Sequence, residues 1–354
     1  MRRRIIANGL DPNAFTVLDQ LAMVGRRGMG ALIYEPAIPH ETDPERIDLD
    51  ALAREAFELL EGREATAEVM SILEELGGSS GGARPKIFVA RDERGALRGG
   101  SGERLTPGFT AWLLKFRSPA DHREVGPLEA AYADMARGAG IDVAPTALVP
   151  SPSGGPGFFA TERFDRRPDG ERIHVLSVSG LLDIEWETPR IDYHGLLSAT
   201  RFVTRNEADV VRMFRRMVFN VAAHNLDDHT KQHAFLMDAW GSWRLAPAYD
   251  VNFSNGPNGQ HYLAVEGEAS AIARDHVLAV ARRQGISMPT AAAIVDDVRH
   301  AVSSFTSYAK PYDVSRTAVN EIASSLAPLI AALGEPALRA RTAPKAARTI
   351  RRRK

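Results

Sequence analysis

The chain has 354 residues, 44% hydrophobic and 25% charged, which suits a soluble globular protein of two or three domains. It contains no cysteine, so disulfides and thiolate metal sites are excluded, and a reducing cytoplasm fits. Its formal net charge of -1 demands neither nucleic acid nor a membrane surface as partner. No apolar run approaches the roughly 20 residues a membrane helix needs. After Met1-Arg2-Arg3-Arg4 comes only "IIA", too short for a signal-peptide core, so the reading is a cytoplasmic protein. The basic tail, 341–354, reads as a solvated, disordered end.

In chain order, 49–76 reads as helix. Leu52, Ala56, Leu59 and Leu60 take the spacing i, i+4, i+7, i+8, and Val69, Ile72, Leu73 and Leu76 nearly repeat it. "GGSSGG", 77–82, stops the pattern. "KIFVA" (86–90) predicts a strand with "DERG" as a hairpin turn, and "FTAWLLKF" (109–116) predicts another. "PLEAAYADMARGAG" (127–140) predicts a helix, followed by the strands "VAPTALV" and "GFFATERF". The result is a small antiparallel sheet carrying one helix. From about 207 onward the chain reads as helical. Val210, Phe214, Met217, Val218 and Val221 share one face of a helix that Asn206 caps. A hairpin, "AFLMD-AWGS-WRLAPAYD", interrupts the helices, and further helices are predicted at about 270–285, 290–308 and 314–333. The segment 256–269 reads as a loop with a short strand.

The stretch "HNLDDHTKQHAFLMD", 224–238, packs three histidines and three aspartates into fifteen positions. It admits a metal cage, a phosphoryl-transfer site or a solvated helix end. For the first, His229 and His233 are spaced i, i+4, which on a helix puts both imidazoles on one face, but no HExxH motif is present. For the second, Asp227 follows the buried helix, where a loop aims it into a cleft. Gln232 lies five residues on, the spacing at which kinases place the Asn of D-x-x-x-x-N. Asp250 closes the hairpin 23 residues after Asp227, and Lys231 adds local positive charge. Such a site needs a carboxylate for the attacking hydroxyl, oxygen ligands for Mg²⁺, a cation and a loop over the phosphates. Upstream, "GGSSGGARPK" lets backbone N–H groups approach phosphates, although it is not a Walker A motif because Ala83 stands where that motif has Lys. Lys115 interrupts an apolar strand and needs a partner anion, for which Glu129 on the lobe's helix is the candidate. The bland alternatives are a flexible linker and an edge-strand lysine facing water.

At these residues the chain resembles the HipA-family serine/threonine kinase toxins. "SSGGARPK", "LLKF", "EAAYADMARGAGIDVAPTAL", "ERFDRR", "NLDDHTKQHAFL" and "LAPAYD" stand in the family's order. The resemblance implies an α+β, two-lobed protein-kinase-like fold, with a small antiparallel-sheet N-lobe and a mostly helical C-lobe. The implied organisation is an N-terminal segment 1–76, an N-lobe 77–168, a C-lobe 169–340 and the tail. It implies an ATP- and Mg²⁺-dependent protein serine/threonine kinase acting as the toxin of a toxin–antitoxin pair, with an aminoacyl-tRNA synthetase as target. Asp227 would be catalytic, Asp250 and Gln232 would hold Mg²⁺, and Lys115 would bind phosphates. Gly81, Gly82, Ala83 and Lys86 would cover the nucleotide, Glu162, Arg163 and Phe164 would form the hinge, and His229, Lys231 and Tyr249 would lie nearby. Ser79 or Ser80 would be autophosphorylated, adding about -1.5 to -2 charges to the loop. The implied partner is a helix-turn-helix antitoxin (HipB-like), through which DNA is met indirectly. The family usually has Asn in place of Gln232, which leaves a catalytically weak pseudokinase as the alternative, with a metal-dependent hydrolase behind it. Typical members also carry a further half-domain before "VGRRGMGAL". This chain reads as a short form, the missing piece being a separate small protein (HipS-like) or lost by truncation.

Overall fold

A computed structural model describes residue 14 and residues 16–37, 47–63, 84–100 and 105–334. Strands β1 (Lys86–Asp92), β2 (Leu97–Gly99), β3 (Phe109–Lys115), β4 (Thr146–Val149) and β5 (Phe158–Glu162) form an antiparallel sheet in the order β2-β1-β3-β5-β4. β2 is the second arm of the predicted turn, which Asp92 ties by accepting from the N–H groups of Arg94 and Ala96. Strand alternation assigns the two faces. Ile87, Val89, Trp112, Leu114, Phe116 and Ala160 pack against Leu49, Leu52 and Ala56 of the helix Leu49–Leu60. Val17–Val24 is the helix before it, so these are α1 and α2. On the opposite face lies α3 (Val125–Gly138), whose Ala130 and Ala133 meet Phe159. The sheet therefore carries a helix on each face, where one was predicted. The predicted helix over 49–76 is also shorter. It ends at Leu60, and Gly62 turns the chain at φ +86°, a left-handed conformation that suits glycine. Residues 64–76 lie outside the described residues.

The C-terminal part is built on helices α4 (Val178–Leu182), α5 (Tyr193–Thr204), α6 (Glu207–Ala222), α7 (Arg274–Arg283), α8 (Met288–Ser303), α9 (Phe305–Ala309) and α10 (Arg316–Ala332). A three-stranded sheet, β6 (His174–Ser177), β7 (Ala234–Met237) and β8 (Trp243–Leu245), sits among them. The apolar face read for α6 is wholly buried, and the Asn206 side chain accepts from Ala208 N–H at 3.0 Å as its cap. α3 joins the two lobes. Its Leu128, Tyr132 and Met135 belong to the same core as α6, and the Tyr132 hydroxyl donates to Ala223 O. Among the described residues no helix is long and apolar enough to cross a membrane.

The junction after β5 is fixed by charge. Asp165 is fully buried and receives Arg163 at 2.9 Å, Arg166 at 2.8 Å and the backbone N–H of Gly30 at 2.7 Å. Arg166 also donates to the carbonyls of Gly28 and Gly30, and Arg172 to those of Arg26, Gly28, Gly30 and Leu32. Three arginines and one aspartate thus latch residues 26–32 onto the junction after β5. Gly30 suits the latch because it takes φ +78° and a Cβ there would stand 3.0 Å from Val175 N.

Burial alone would raise the Asp165 carboxyl, but Arg163 and Arg166 hold it below its ordinary value. A group depressed in the folded state stabilises fully above its unfolded value of about 3.9 and progressively less as pH falls below that. Asp165→Asn leaves two buried arginines without their anion. Chemical denaturation at pH 7 should show a loss of about 3–5 kcal/mol. The variant should also lose part of the wild-type decline in stability below about pH 4.

Candidate active site

The site begins where α6 ends. After Ala222 the chain turns through His224, at φ +53°, and runs without regular structure to a single 3-10 turn, Thr230–Gln232. It enters β7, returns through β8 and reaches Asp250, itself left-handed at φ +56°. The hairpin therefore brings the second aspartate back to the first loop. Gln232 Nε2 donates to Asp250 Oδ2 at 2.9 Å. The chain past β8 is also tied to the segment after α3, since Ala248 N–H donates to Asp142 O at 2.7 Å.

Lys115 joins the site from the sheet. β3 is the central strand, and because Leu114 and Phe116 face α2, Lys115 faces α3. Its ammonium lies 3.1 Å from Glu129 Oε1 and 2.5 Å from Asp250 Oδ1, with 9% of the side chain exposed. The edge-strand reading is thereby excluded. Burial alone would lower the Lys115 ammonium, but Asp250 and Glu129 raise it above its ordinary value. Burial would likewise raise the Asp250 carboxyl, yet Lys115 and Lys86 hold it well below the carboxylate range. Lys86 stands opposite Lys115 in register on β1, and its own ammonium is lowered, by burial first, with Asp250 opposing. Glu129 Oε1 further accepts from Arg84 at 2.6 Å and Asn252 at 2.9 Å, and Arg84 pairs with Asp121 at 2.9 Å. Arg84, Lys86 and Lys115 thus face Asp121, Glu129 and Asp250. The sequence reading missed Asp121 and Asn252, and it set Arg84 in the segment over the phosphates without its pairing to Glu129; the signal was only that a buried Glu129 needs more than one donor.

Asp227 keeps 46% of its side chain exposed and lies 3.7 Å from His229 Nε2. Burial raises its carboxyl above the ordinary value; His229 opposes the rise and Asp250 adds to it. The His229 imidazole is lowered, by burial first. It caps the 3-10 turn by accepting from Lys231 N–H, and it packs 4.8 Å from the Trp186 ring. The Lys231 ammonium sits over that same ring at 4.8 Å. Trp186 was also missed, standing alone in an acidic loop. His229 and His233 do not share a helix face, because one 3-10 turn separates them and His233 is buried, with its pKa lowered to about 4 by burial first. This removes the geometric basis for the metal cage. Among the described residues no cluster of three or more His, Cys, Asp or Glu fits a metal ion.

The predicted hinge is partly committed. Glu162 N–H donates to Pro145 O at 2.8 Å and Arg163 N–H to Ala111 O at 2.8 Å, so these two groups serve the sheet. The Arg163 guanidinium pairs with Asp165 and lies over Phe88 at 4.0 Å. Phe164 instead turns its ring toward Tyr249 at 5.7 Å, and the Tyr249 hydroxyl donates to Lys231 O at 2.6 Å. Phe164 and Tyr249 thereby connect the segment after β5 to the loop bearing Asp250. Ser79, Ser80, Gly81, Gly82 and Ala83 lie outside the described residues. Segment 256–269 forms no named strand; a 3-10 turn at Pro257–Gly259 leads into a loop that binds Asp228.

The model of the HipA-like C-terminal domain matches residues 78–305. The chain belongs to that family. The fold of this HipA-like chain is accordingly an α+β kinase-like one. HipA of Shewanella oneidensis MR-1, solved with HipB and its operator DNA, superposes with a TM-score of 0.67 at 17% identity, over 92% of this chain and 80% of that one. At that identity the likeness concerns the fold. A Sinorhizobium fredii (strain NBRC 101917 / NGR234) protein named "Putative kinase Y4mE" is 30% identical over 133 residues, 35% of this chain. Those residues span 31% of that relative's length.

Lys115→Met in this HipA-like chain leaves the buried Glu129 with Arg84 as its nearest cation and deprives the partly exposed Asp250 of its closest one. Denaturant titration should show a loss of about 1–3 kcal/mol. Glu129→Gln added to it should cost less than the separate effects combined, because the two sites share one network.

Proposed function

We propose that this chain is an ATP- and Mg²⁺-dependent protein serine/threonine kinase and the toxin of a toxin–antitoxin pair. The observation that carries the reading is the Lys115–Asp250–Gln232 contact, which sets a cation, a carboxylate and an amide near the half-exposed Asp227. Lys115 and Lys86 would meet the phosphates, under cover of Gly81, Gly82 and Ala83. Phe164 would offer its backbone to adenine, with Glu162 and Arg163 bracing the hinge, and Tyr249 would lie against it. Asp227 would accept the proton of a serine or threonine hydroxyl as that oxygen bonds to the γ-phosphorus and the bond to the β-phosphate oxygen breaks. The raised Asp227 carboxyl suits a base, and the Nδ1 lone pair of His229 is already taken by Lys231 N–H.

The donor set fits magnesium held jointly with a nucleotide. Mg²⁺ prefers one or two carboxylates plus phosphate oxygens over an all-protein cage. Asp250 provides the carboxylate and Gln232, 2.9 Å away, the amide, which turned over would present its oxygen. When bound, the ion would neutralise charge on the transferring phosphoryl group.

Shewanella HipA was solved with HipB and operator DNA, which supports a HipB-like antitoxin as partner and DNA as an indirect one. An aminoacyl-tRNA synthetase is the target that the family resemblance implies, and Ser79 or Ser80 the self-phosphorylated residue. A separate HipS-like protein is a further candidate partner, and the cytoplasm the proposed site of action.

Purified chain incubated with γ-labelled ATP and Mg²⁺ should label itself at Ser79 or Ser80. Asp227→Ala should abolish the label, and Ser79→Ala/Ser80→Ala should remove it from that loop. Nucleotide binding without any label would overturn the kinase reading in favour of a pseudokinase. Gln232→Asn, which restores the shorter amide, should then raise magnesium-dependent turnover if the extra methylene is the obstacle.

A further inference from the structure

Asp227 and Asp228 are adjacent, but they face opposite ways. Asp227 is nearly half exposed, whereas Asp228 is fully buried. The Asp228 carboxylate accepts four hydrogen bonds. The Tyr193 hydroxyl donates at 2.5 Å, His261 Nδ1 at 2.9 Å, Tyr262 N–H at 2.8 Å and Leu263 N–H at 3.3 Å. Four donors match the acceptor capacity of an ionised carboxylate, and they require the His261 proton to be on Nδ1.

The network also returns to the loop upstream of Asp227. Asn220 Nδ2 donates to the Tyr193 oxygen at 2.9 Å, and Asn225 Nδ2 donates to Asn220 Oδ1 at 2.9 Å. The connected path therefore runs from Asn225 through Asn220 and Tyr193 to Asp228. Its two ends lie on either side of Leu226 and Asp227, so both neighbours of that dipeptide are pinned to one framework. The framework itself is rigid. Asn220 lies on α6, Tyr193 opens α5, and Tyr193 N–H donates to Ala264 O at 3.1 Å. Leu226 N–H is held separately by Ser254 O at 3.1 Å.

We propose that Asp228 is a positioning residue, whose buried hydrogen-bond network aims Asp227 into the cleft. This rests on the kinase reading of Asp227. A buried charge is a poor way to gain stability alone, since apolar packing often serves as well. A carboxylate with four fixed donors does supply direction, which preorganised proton transfer requires.

The test compares wild type, Asp228→Asn, Tyr193→Phe and Asp227→Asn as full-length chains. Four quantities are measured: self-labelling rate, affinity for a fluorescent ATP analogue, melting temperature, and amide exchange over residues 224–229. Asp228→Asn should slow labelling about a hundredfold and Tyr193→Phe about tenfold, with nucleotide affinity within about threefold. Exchange should quicken about tenfold in Asp228→Asn and stay unchanged in Asp227→Asn. Unchanged labelling in a folded Asp228→Asn, or unchanged exchange, would overturn the proposal. So would parallel loss of rate, nucleotide affinity and melting temperature in Tyr193→Phe, since that marks a merely structural role. If wild type incorporates no label while exchange responds as stated, the anchoring role stands and the kinase reading fails.

Discussion

A lysine on the inner face of a central strand is the constraint on which much of this structure depends. Lys115 has 9% of its side chain exposed, and an ammonium so placed must find anions. It finds one in each lobe. Glu129 comes from α3, which packs against its own sheet, and Asp250 comes from the far side of the cleft. The buried ammonium thus draws on a buried carboxylate in its own lobe and on a partly exposed one across the cleft. The distance between the lobes is therefore a matter of electrostatics as well as packing. Arg84 and Asn252 extend the same logic, because Glu129 Oε1 accepts from each of them as well as from Lys115.

The lower half of the site owes its shape to the core. α6 is buried along almost its whole length, so its C-terminal end is a fixed point. The β7–β8 hairpin is short, and Asp238 ties its turn by accepting from Trp240 and Ser242 N–H groups. Between the two there is little slack. Residues 224–233 are held at their ends by α6 and β7 and in their middle by Asp228, and Asp250 arrives beside Gln232 because the hairpin leaves it no other path. Asp250 takes a left-handed backbone conformation that costs a non-glycine residue free energy, and such positions persist where their surroundings fix them.

What was legible in the sequence was what periodicity and spacing encode. The helical stripe of α6, the apolar strand broken by Lys115, and the hairpin leading to Asp250 were read from those signals, and so was the need of Lys115 for an anion. Other features left no such trace. β6, α4 and α5 were unread because 174–204 mixes short apolar runs with polar caps, and its strand exists only by pairing with β7, far along the chain. The helix α2 was read, but its place on the sheet was not, because the sheet is buried on both faces, which hides its alternation. The i, i+4 histidines suggested a helix that a single 3-10 turn replaces. At the hinge, no side-chain pattern could reveal that Glu162 and Arg163 spend their N–H groups on Pro145 and Ala111. The doubled aspartate of "LDDH" did carry information, but its division into one exposed and one buried carboxylate depends on partners 35 residues away in either direction.

The arginine latch on residues 26–32 has an evolutionary consequence. Arg166 and Arg172 contact that segment through main-chain oxygens of Arg26, Gly28, Gly30 and Leu32. The side chain of Arg26 pairs outward with Glu35 instead, and Leu32 is 54% exposed. Recognition is of a path and not of letters. Substitutions can change the outward face of the segment freely as long as Gly30 keeps its turn. The two arginines have no such freedom, since lysine lacks the planar fork that spans several carbonyls at once. The molecule thus carries a strip of surface whose chemistry can drift along a fixed track, at no cost to the buried charges beneath it.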